Sequence, residues 1–189
     1  MVGKKLFSGQ TDLTRISFPI KCMAPISTLE IMPTLQSTMC VYLNKAASIQ
    51  DPLERIKLLI AHNLSFFYKE KIFEKPLNPI LGETHQAYGQ DGAMIYMEQT
   101  SHHPPVSHFQ IDGPDGNYSM TAWSQHSIKV GLQSVSLTAA GGKILKFKDG
   151  QTIKYNSPGD YLFNMLMGNM GHQVTGKITF VDEANEIVA

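Results

Sequence analysis

The run Glu98-Gln99-Thr100-Ser101-His102-His103-Pro104-Pro105 concentrates more potential chemistry than any other stretch of the 189-residue sequence. It sets two imidazoles side by side, with a serine hydroxyl before them and two prolines after. Adjacent residues of a regular strand point to opposite faces, so neighbouring histidines meet one ligand only where the backbone leaves the pleat. The prolines provide that departure. Pro104 drives His103 into extended or polyproline geometry, Pro105 restrains Pro104 in turn, and both remove backbone donors. The result is a stiff corner that presents two imidazoles beside Ser101. Such a corner suits an anion: histidine titrates near neutrality, and a phosphate monoester carrying about −1.5 to −2 charge favours the imidazolium form.

The same residues admit other uses. A metal site needs two further ligands at a recognisable spacing; His108 is the only nearby candidate, and neither a cysteine nor a paired carboxylate accompanies it. A hydrolytic reading offers Ser101 with a histidine base and Glu98 or Glu83 as a third member, but no nucleophile elbow is present. The plainest alternative has Ser101 and the histidines holding a loop together. On the residue types alone these alternatives stay open.

The elements that would position this run read as a helical portion followed by strands. Ser27 and Glu30 have the spacing of a capping box and start a short helix, which Pro33 limits. Asp51-Pro52 opens the strongest helix, with a stripe of Leu53, Ile56, Leu59, Ile60, Asn63, Leu64 and Phe67, ending before Lys75-Pro76. After Gly82 the apolar residues alternate or fall in short runs. Strands are expected over Met94 to Met97, Val106 to Ile111, Tyr118 to Trp123, Ser134 to Leu137, Lys143 to Phe147, Thr152 to Tyr155 and Val174 to Val181. Between them lie turns rich in Gly, Asp, Asn and Pro, including Gln90-Asp91-Gly92, Gly141-Gly142 and Asp149-Gly150. Many closely spaced strands suggest a sheet that curls toward a barrel, the usual enclosure for a small apolar ligand. Residues Met1 to Phe18 show little periodicity and read as an arm.

Composition narrows the function classes. Sixteen Lys and Arg balance sixteen Asp and Glu, so no global field holds the protein on nucleic acid, and any anion site is local. Cys22 and Cys40, with no apolar leader ahead of them, read as free thiols and small packing residues in a reducing compartment. No stretch reaches the roughly 18 apolar residues of a membrane span, so membrane contact is expected to be peripheral. Ser65-Phe66-Phe67-Tyr68 reads as packing on the core helix. Met165-Leu166-Met167 with Met170 reads as an adaptable apolar surface, in a core or along a lipid tunnel.

Two of these stretches resemble diagnostic runs of one family. Glu98 to Pro105 is similar to the Glu-Gln-x-Ser-His-His-Pro-Pro run of the oxysterol-binding-protein-related family, and Lys75-Pro76-Leu77-Asn78-Pro79-Ile80-Leu81-Gly82-Glu83 to its Lys-Pro-x-Asn-Pro-x-Leu-Gly-Glu run. The order and spacing match, and the resemblance extends along nearly the whole chain. It implies one β-rich α+β domain over residues 1–189, with a lid over 1–18, a helical layer over 26–74 and barrel strands over 83–189. The antiparallel barrel, incomplete here, would enclose a lipid tunnel. It implies a carrier of sterol or phosphatidylserine in one direction and phosphatidylinositol 4-phosphate in the other, cytoplasmic, peripheral at membrane surfaces or contact sites, without cofactor or catalysis. By motif, Lys75, Asn78, His102 and His103 would contact the inositol phosphate headgroup; an ammonium, an amide and two imidazoles together supply several donors to a multiply charged acceptor. Family domains are longer than this chain, and further Lys, Glu and Arg partners lie in their C-terminal portion. A protein partner or further polypeptide is therefore expected to cover an open sheet edge. The rival reading is a short paralogue without transfer, acting as an interaction subunit.

Overall fold

The computed structural model describes residues 20, 23–37, 40–68, 74–131, 133–164 and 169–189. The arm Met1 to Phe18, Cys22 and the run Met165 to Met167 lie outside these residues. Among the described residues three α-helices, α1 (Thr28–Ser37), α2 (Cys40–Ala47) and α3 (Pro52–Tyr68), precede most of the strands. None is long and apolar enough to cross a membrane.

Local chemistry starts the helices as expected. The Leu29 amide donates to Ser27 Oγ at 3.1 Å, and Glu30 Oε2 accepts from the Ser27 amide at 2.6 Å, giving α1 a reciprocal cap. Asp51 Oδ1 accepts from the amides of Leu53 and Glu54 at 2.9 and 3.0 Å, with Pro52 at the first helical position of α3. Two expectations are corrected. Pro33 does not end α1: the helix runs on to Ser37 with Pro33 inside it and buried. In α3 the buried face carries Arg55, Ile56, Leu59, His62 and Asn63, whereas Leu53 and Leu64 are 49% and 59% exposed. At about 100° per residue the buried face is therefore turned from the expected stripe toward Arg55 and His62, which leaves Leu53 and Leu64 on the exposed side.

The strands begin with β1 (Met23–Ser27) and β2 (Lys75–Leu77), a short parallel pair that the sequence reading lacked. It then runs β3 (Thr84–Tyr88), β4 (Met94–His102), β5 (Pro105–Asp112) and β6 (Tyr118–Val130) as an antiparallel meander. Next come β7 (Ser134–Ala140), β8 (Lys143–Phe147), β9 (Thr152–Tyr155), β10 (Gly159–Phe163), β11 (Gly171–Thr175), β12 (Phe180–Asp182) and β13 (Ile187–Val188). The expected single strand Val174 to Val181 is instead divided between β11 and β12, because Gly176 takes a φ of +91° and turns the chain between them.

Strand β6 is the hinge of the eleven-stranded sheet. Along one edge it pairs with β5; along the other it pairs first with β8 and then with β7. β7 and β8 form one line against β6, broken at Gly141-Gly142 with no change of register. At Gly141, φ +143°, a Cβ would stand 2.0 Å from the Trp123 carbonyl oxygen, so only glycine fits this close approach. From that point the sheet forks. One branch continues through β9, β12 and β13, the other through β10 and β11, and the strand order does not close on itself among the described residues.

Helices and sheet share one core. Leu29, Leu43, Ile56 and Leu59 pack against alternate positions of the strands, Ile95 and Met97 on β4, Ile111 on β5, Met120 on β6 and Leu145 on β8. The architecture is thus a β-rich α+β domain with a helical layer on one face of a large antiparallel sheet. Burial also marks Cys40 as a packing residue: it is a fully buried thiol whose pKa is pushed up to about 11, chiefly by loss of water.

Candidate functional site

Lys75 lies on β2, held by pairing with β1, and its Nζ donates to Asn78 Oδ1 at 3.0 Å. Partial burial pulls the Lys75 ammonium below its ordinary value. With its oxygen accepting from the lysine, the Asn78 side chain has its two amide hydrogens as donors. Asn78 itself is exposed.

The chain then turns tightly. Ile80 N–H donates to Glu83 Oε2 at 3.0 Å and the Glu83 amide donates to the Ile80 carbonyl at 3.1 Å. Gly82, at φ +78°, occupies the left-handed region where a side chain is strained. Its amide donates to the Gln99 carbonyl at 2.9 Å, and the Gln99 amide donates to the Glu83 carbonyl at 3.0 Å. Strand pairing continues at once with Thr84 opposite Glu98. The two sequence runs, separate along the chain, are therefore tied together by backbone bonds at Gln99.

Beyond Gln99 the ladder slips. Gln99 faces Ser107 and Ser101 faces Val106, which leaves Thr100 as the extra residue of a bulge. His102 pairs with Pro105, so His103 and Pro104, joined by a cis peptide, form the tip of the β4–β5 hairpin. Bulge and tip together depart from the pleat as the sequence requires. The two imidazole rings meet edge to face with centroids 4.7 Å apart and planes at 64°. His103 is exposed and His102 half-buried. His102 Nδ1 is buried and has no hydrogen-bond partner among the described residues. An orphaned buried nitrogen of this kind costs roughly 1–3 kcal/mol, and a ligand acceptor would remove that cost.

The rival roles find little support in the geometry. Ser101 Oγ spends its hydrogen on the Pro104 carbonyl at 2.8 Å, so it bridges the tip instead of meeting a base. Glu83 caps its own turn, and Glu98 stands on the exposed face of β4. His108 Nδ1 is engaged with Thr100 Oγ1 at 2.7 Å, and no group of three or more His, Cys, Asp or Glu able to hold a metal occurs among the described residues.

Gln99 braces the candidate site, a part that sequence reasoning did not give it. It is 2% exposed; its Nε2 donates to the Ser101 carbonyl at 2.9 Å and its Oε1 accepts from Ser107 Oγ at 2.5 Å. One amide thus spans the bulge and fixes the strand end that carries the histidines. A signal was present, because Gln99 is third in the inward series Ile95, Met97, Gln99.

With this geometry in view, comparison with known proteins is informative. The sequence description of the oxysterol-binding protein family matches residues 6–189. Oxysterol-binding protein 9 of Dictyostelium discoideum is 31% identical over 186 residues, covering 98% of this chain and 43% of that protein. Human oxysterol-binding protein-related protein 1 is 26% identical over 175 residues, covering 90% of this chain and 18% of that protein. Among solved structures, the Osh3 ORD in complex with PI(4)P from Saccharomyces cerevisiae superposes with a TM-score of 0.83 at 25% identity, covering 97% of this chain and 49% of that one. The Osh1 ORD domain in complex with ergosterol gives 0.82 at 26% identity, covering 90% and 42%. The chain spans less than half the length of each of these relatives. Matched from residue 6 to its last residue, with the fold and both diagnostic runs in place, this chain belongs to the oxysterol-binding protein family.

Proposed function

We propose that this chain binds a membrane lipid and moves it between membranes by enclosure and release, without catalysing a reaction. Sterol or phosphatidylserine and phosphatidylinositol 4-phosphate are the ligands, and the setting is cytoplasmic and peripheral at membrane surfaces. The observation that supports this reading is the tie at Gln99, which bonds the Gly82-Glu83 end of the run that carries Lys75 and Asn78 to β4, the strand that leads to His102 and His103. Those four residues serve as headgroup donors, and the unpartnered His102 Nδ1 is a nitrogen that a phosphate would satisfy. Related domains of similar fold carry PI(4)P in one structure and ergosterol in another, which supports both ligand classes here. Apolar burial, at about 25 cal/mol per Å², would supply affinity for the lipid body, while the polar donors would select the headgroup.

The deciding experiment extracts the purified chain with organic solvent, identifies co-purified lipid by mass spectrometry, and then follows sterol and phosphatidylinositol 4-phosphate transfer between liposomes. A chain that yields no lipid and exchanges none would not be a carrier.

A further inference from the structure

Beside the candidate headgroup residues two large aliphatic side chains stand in water. Ile80 is 70% and Leu81 64% exposed, at consecutive positions. The backbone beneath them is fixed. The turn is closed in both directions between Ile80 and Glu83, Gly82 is bonded to Gln99, and Pro79 is buried under it. A rigid turn that holds adjacent aliphatic side chains outward has the form of a contact surface, since exposed apolar area is unfavourable unless something covers it.

Its position says what covers it. Lys75 and Asn78 precede the turn on the same segment. The bonds from Gly82 and Glu83 to Gln99 join it to β4, which leads into the His103-Pro104 tip and Pro105, all exposed. The turn thus carries two aliphatic tips, follows a segment with an ammonium, and is bonded to the strand that leads to the imidazoles. That is the chemistry of a bilayer interface, where apolar tips enter the acyl boundary and cationic groups face phosphates. A phosphate bound at Lys75 and His102 would be drawn from a bilayer, so the end that carries Ile80 and Leu81 is the end that must approach it.

We propose that the Ile80-Leu81 turn is an insertion knob that seats this end of the chain on a phospholipid bilayer bearing anionic headgroups. The inference rests on the lipid-binding reading above and adds the surface at which the membrane is met.

The test separates docking from headgroup recognition. Flotation with vesicles of phosphatidylcholine and phosphatidylserine, lacking phosphoinositide, reads docking; calorimetry with soluble inositol 1,4-bisphosphate reads the headgroup site. Ile80→Ser with Leu81→Ser should lower vesicle binding about tenfold or more and leave inositol bisphosphate affinity within about twofold. In a second variant, Leu81→Trp, the exposed indole should shift to the blue on these vesicles and be quenched by brominated acyl chains. Unchanged flotation of the double-serine variant, or an indole that stays in water, overturns the proposal. So does equal loss of vesicle and inositol bisphosphate binding, which would make the turn part of the headgroup site. Light scattering that shows a wild-type dimer broken by the double-serine change, with flotation unaltered, would assign the knob to a second copy instead. A wild-type chain that floats but ignores inositol bisphosphate would sink the headgroup reading and leave the knob standing.

Discussion

Ser107 Oγ donates to Gln99 Oε1 at 2.5 Å across the β4–β5 ladder, at the last regular pair before the bulge. Up to this pair the two strands run in simple register; beyond it Thr100 is extra and the histidines follow. The bond thus sits where order is handed from the sheet to the site. The backbone of Gln99 also holds the Gly82 turn, so one residue braces both sequence runs.

Replacing His102 and His103 together by alanine should weaken binding of a phosphoinositide headgroup by at least about tenfold, since each charge-assisted bond is worth roughly 1.5–3 kcal/mol. Sterol binding should change little. Neither ring lies in the hydrophobic core, so the fold should survive. Equal loss of both ligands in a folded variant, measured by calorimetry and by fluorescent sterol titration, would make the histidines structural.

Arg55 should matter for stability in a way its sequence context does not suggest. Its guanidinium is 3% exposed, donates to the Ala46 carbonyl and to Gln151 Oε1 at 3.1 and 2.7 Å, meets Asp149 at 2.6 Å, and lies 4.4 Å from the Phe147 ring centroid. Gln151 passes the chain on to the fully buried Asp182 at 2.6 Å. Arg55→Ala strands several of these groups and should cost about 3–5 kcal/mol in urea unfolding. Asp149→Asn touches only the exposed end and should cost about 1 kcal/mol or less. A similar loss for both would mean that the surface ion pair, not the buried network, holds α3 to the sheet.

Much of this was legible where the physics is local. The caps at Ser27 and Asp51 use side chains within a few residues, and the alternation that marks β4 begins at Met94. What escaped is non-local or runs against type. β3 is an outer strand whose inward residues, His85 and Ala87, are only half-buried, so it lacks an apolar alternation. β1 and β2 are short and pair across the whole helical layer. Arg55 and His62 are polar residues on a buried face, which a hydrophobic stripe misplaces. At the site, the residue types were readable from the two runs, but their junction at Gln99 consists of tertiary backbone bonds that leave no mark in composition or spacing.

Lys143 should give the fold an alkaline gain in stability. Its Nζ lies 5.1 Å from the Tyr155 ring centroid, and burial lowers its pKa from 10.5 to about 8. The unfolded chain therefore binds more protons than the folded one between about pH 8 and 10.5, and stability rises with pH across that window. The full penalty, on the order of 3 kcal/mol, is present below pH 8. Urea midpoints at pH 7.5 and 9.5 should move upward for the wild type, and Lys143→Met should remove most of the difference while stabilising the chain at pH 7.5. A slope that persists in the variant would assign the effect to another group.

Gln99 allows positioning to be separated from packing. Gln99→Leu keeps the volume but leaves the Ser107 hydroxyl and the Ser101 carbonyl without their partners, so stability should fall by about 1–3 kcal/mol. If the amide merely packs, headgroup affinity measured well below the unfolding temperature should be unaltered. If it positions the strand end, the bulge loosens, the two imidazoles lose their common geometry, and affinity for inositol 1,4-bisphosphate should fall about fivefold or more with sterol binding spared. Adding Ser107→Ala removes one stranded hydroxyl and should recover part of the stability. Affinity should not return with it, because the Ser101 carbonyl is still unheld and the histidines follow directly after. Recovery of affinity in step with stability in the double variant would show that Gln99 acts only through the fold.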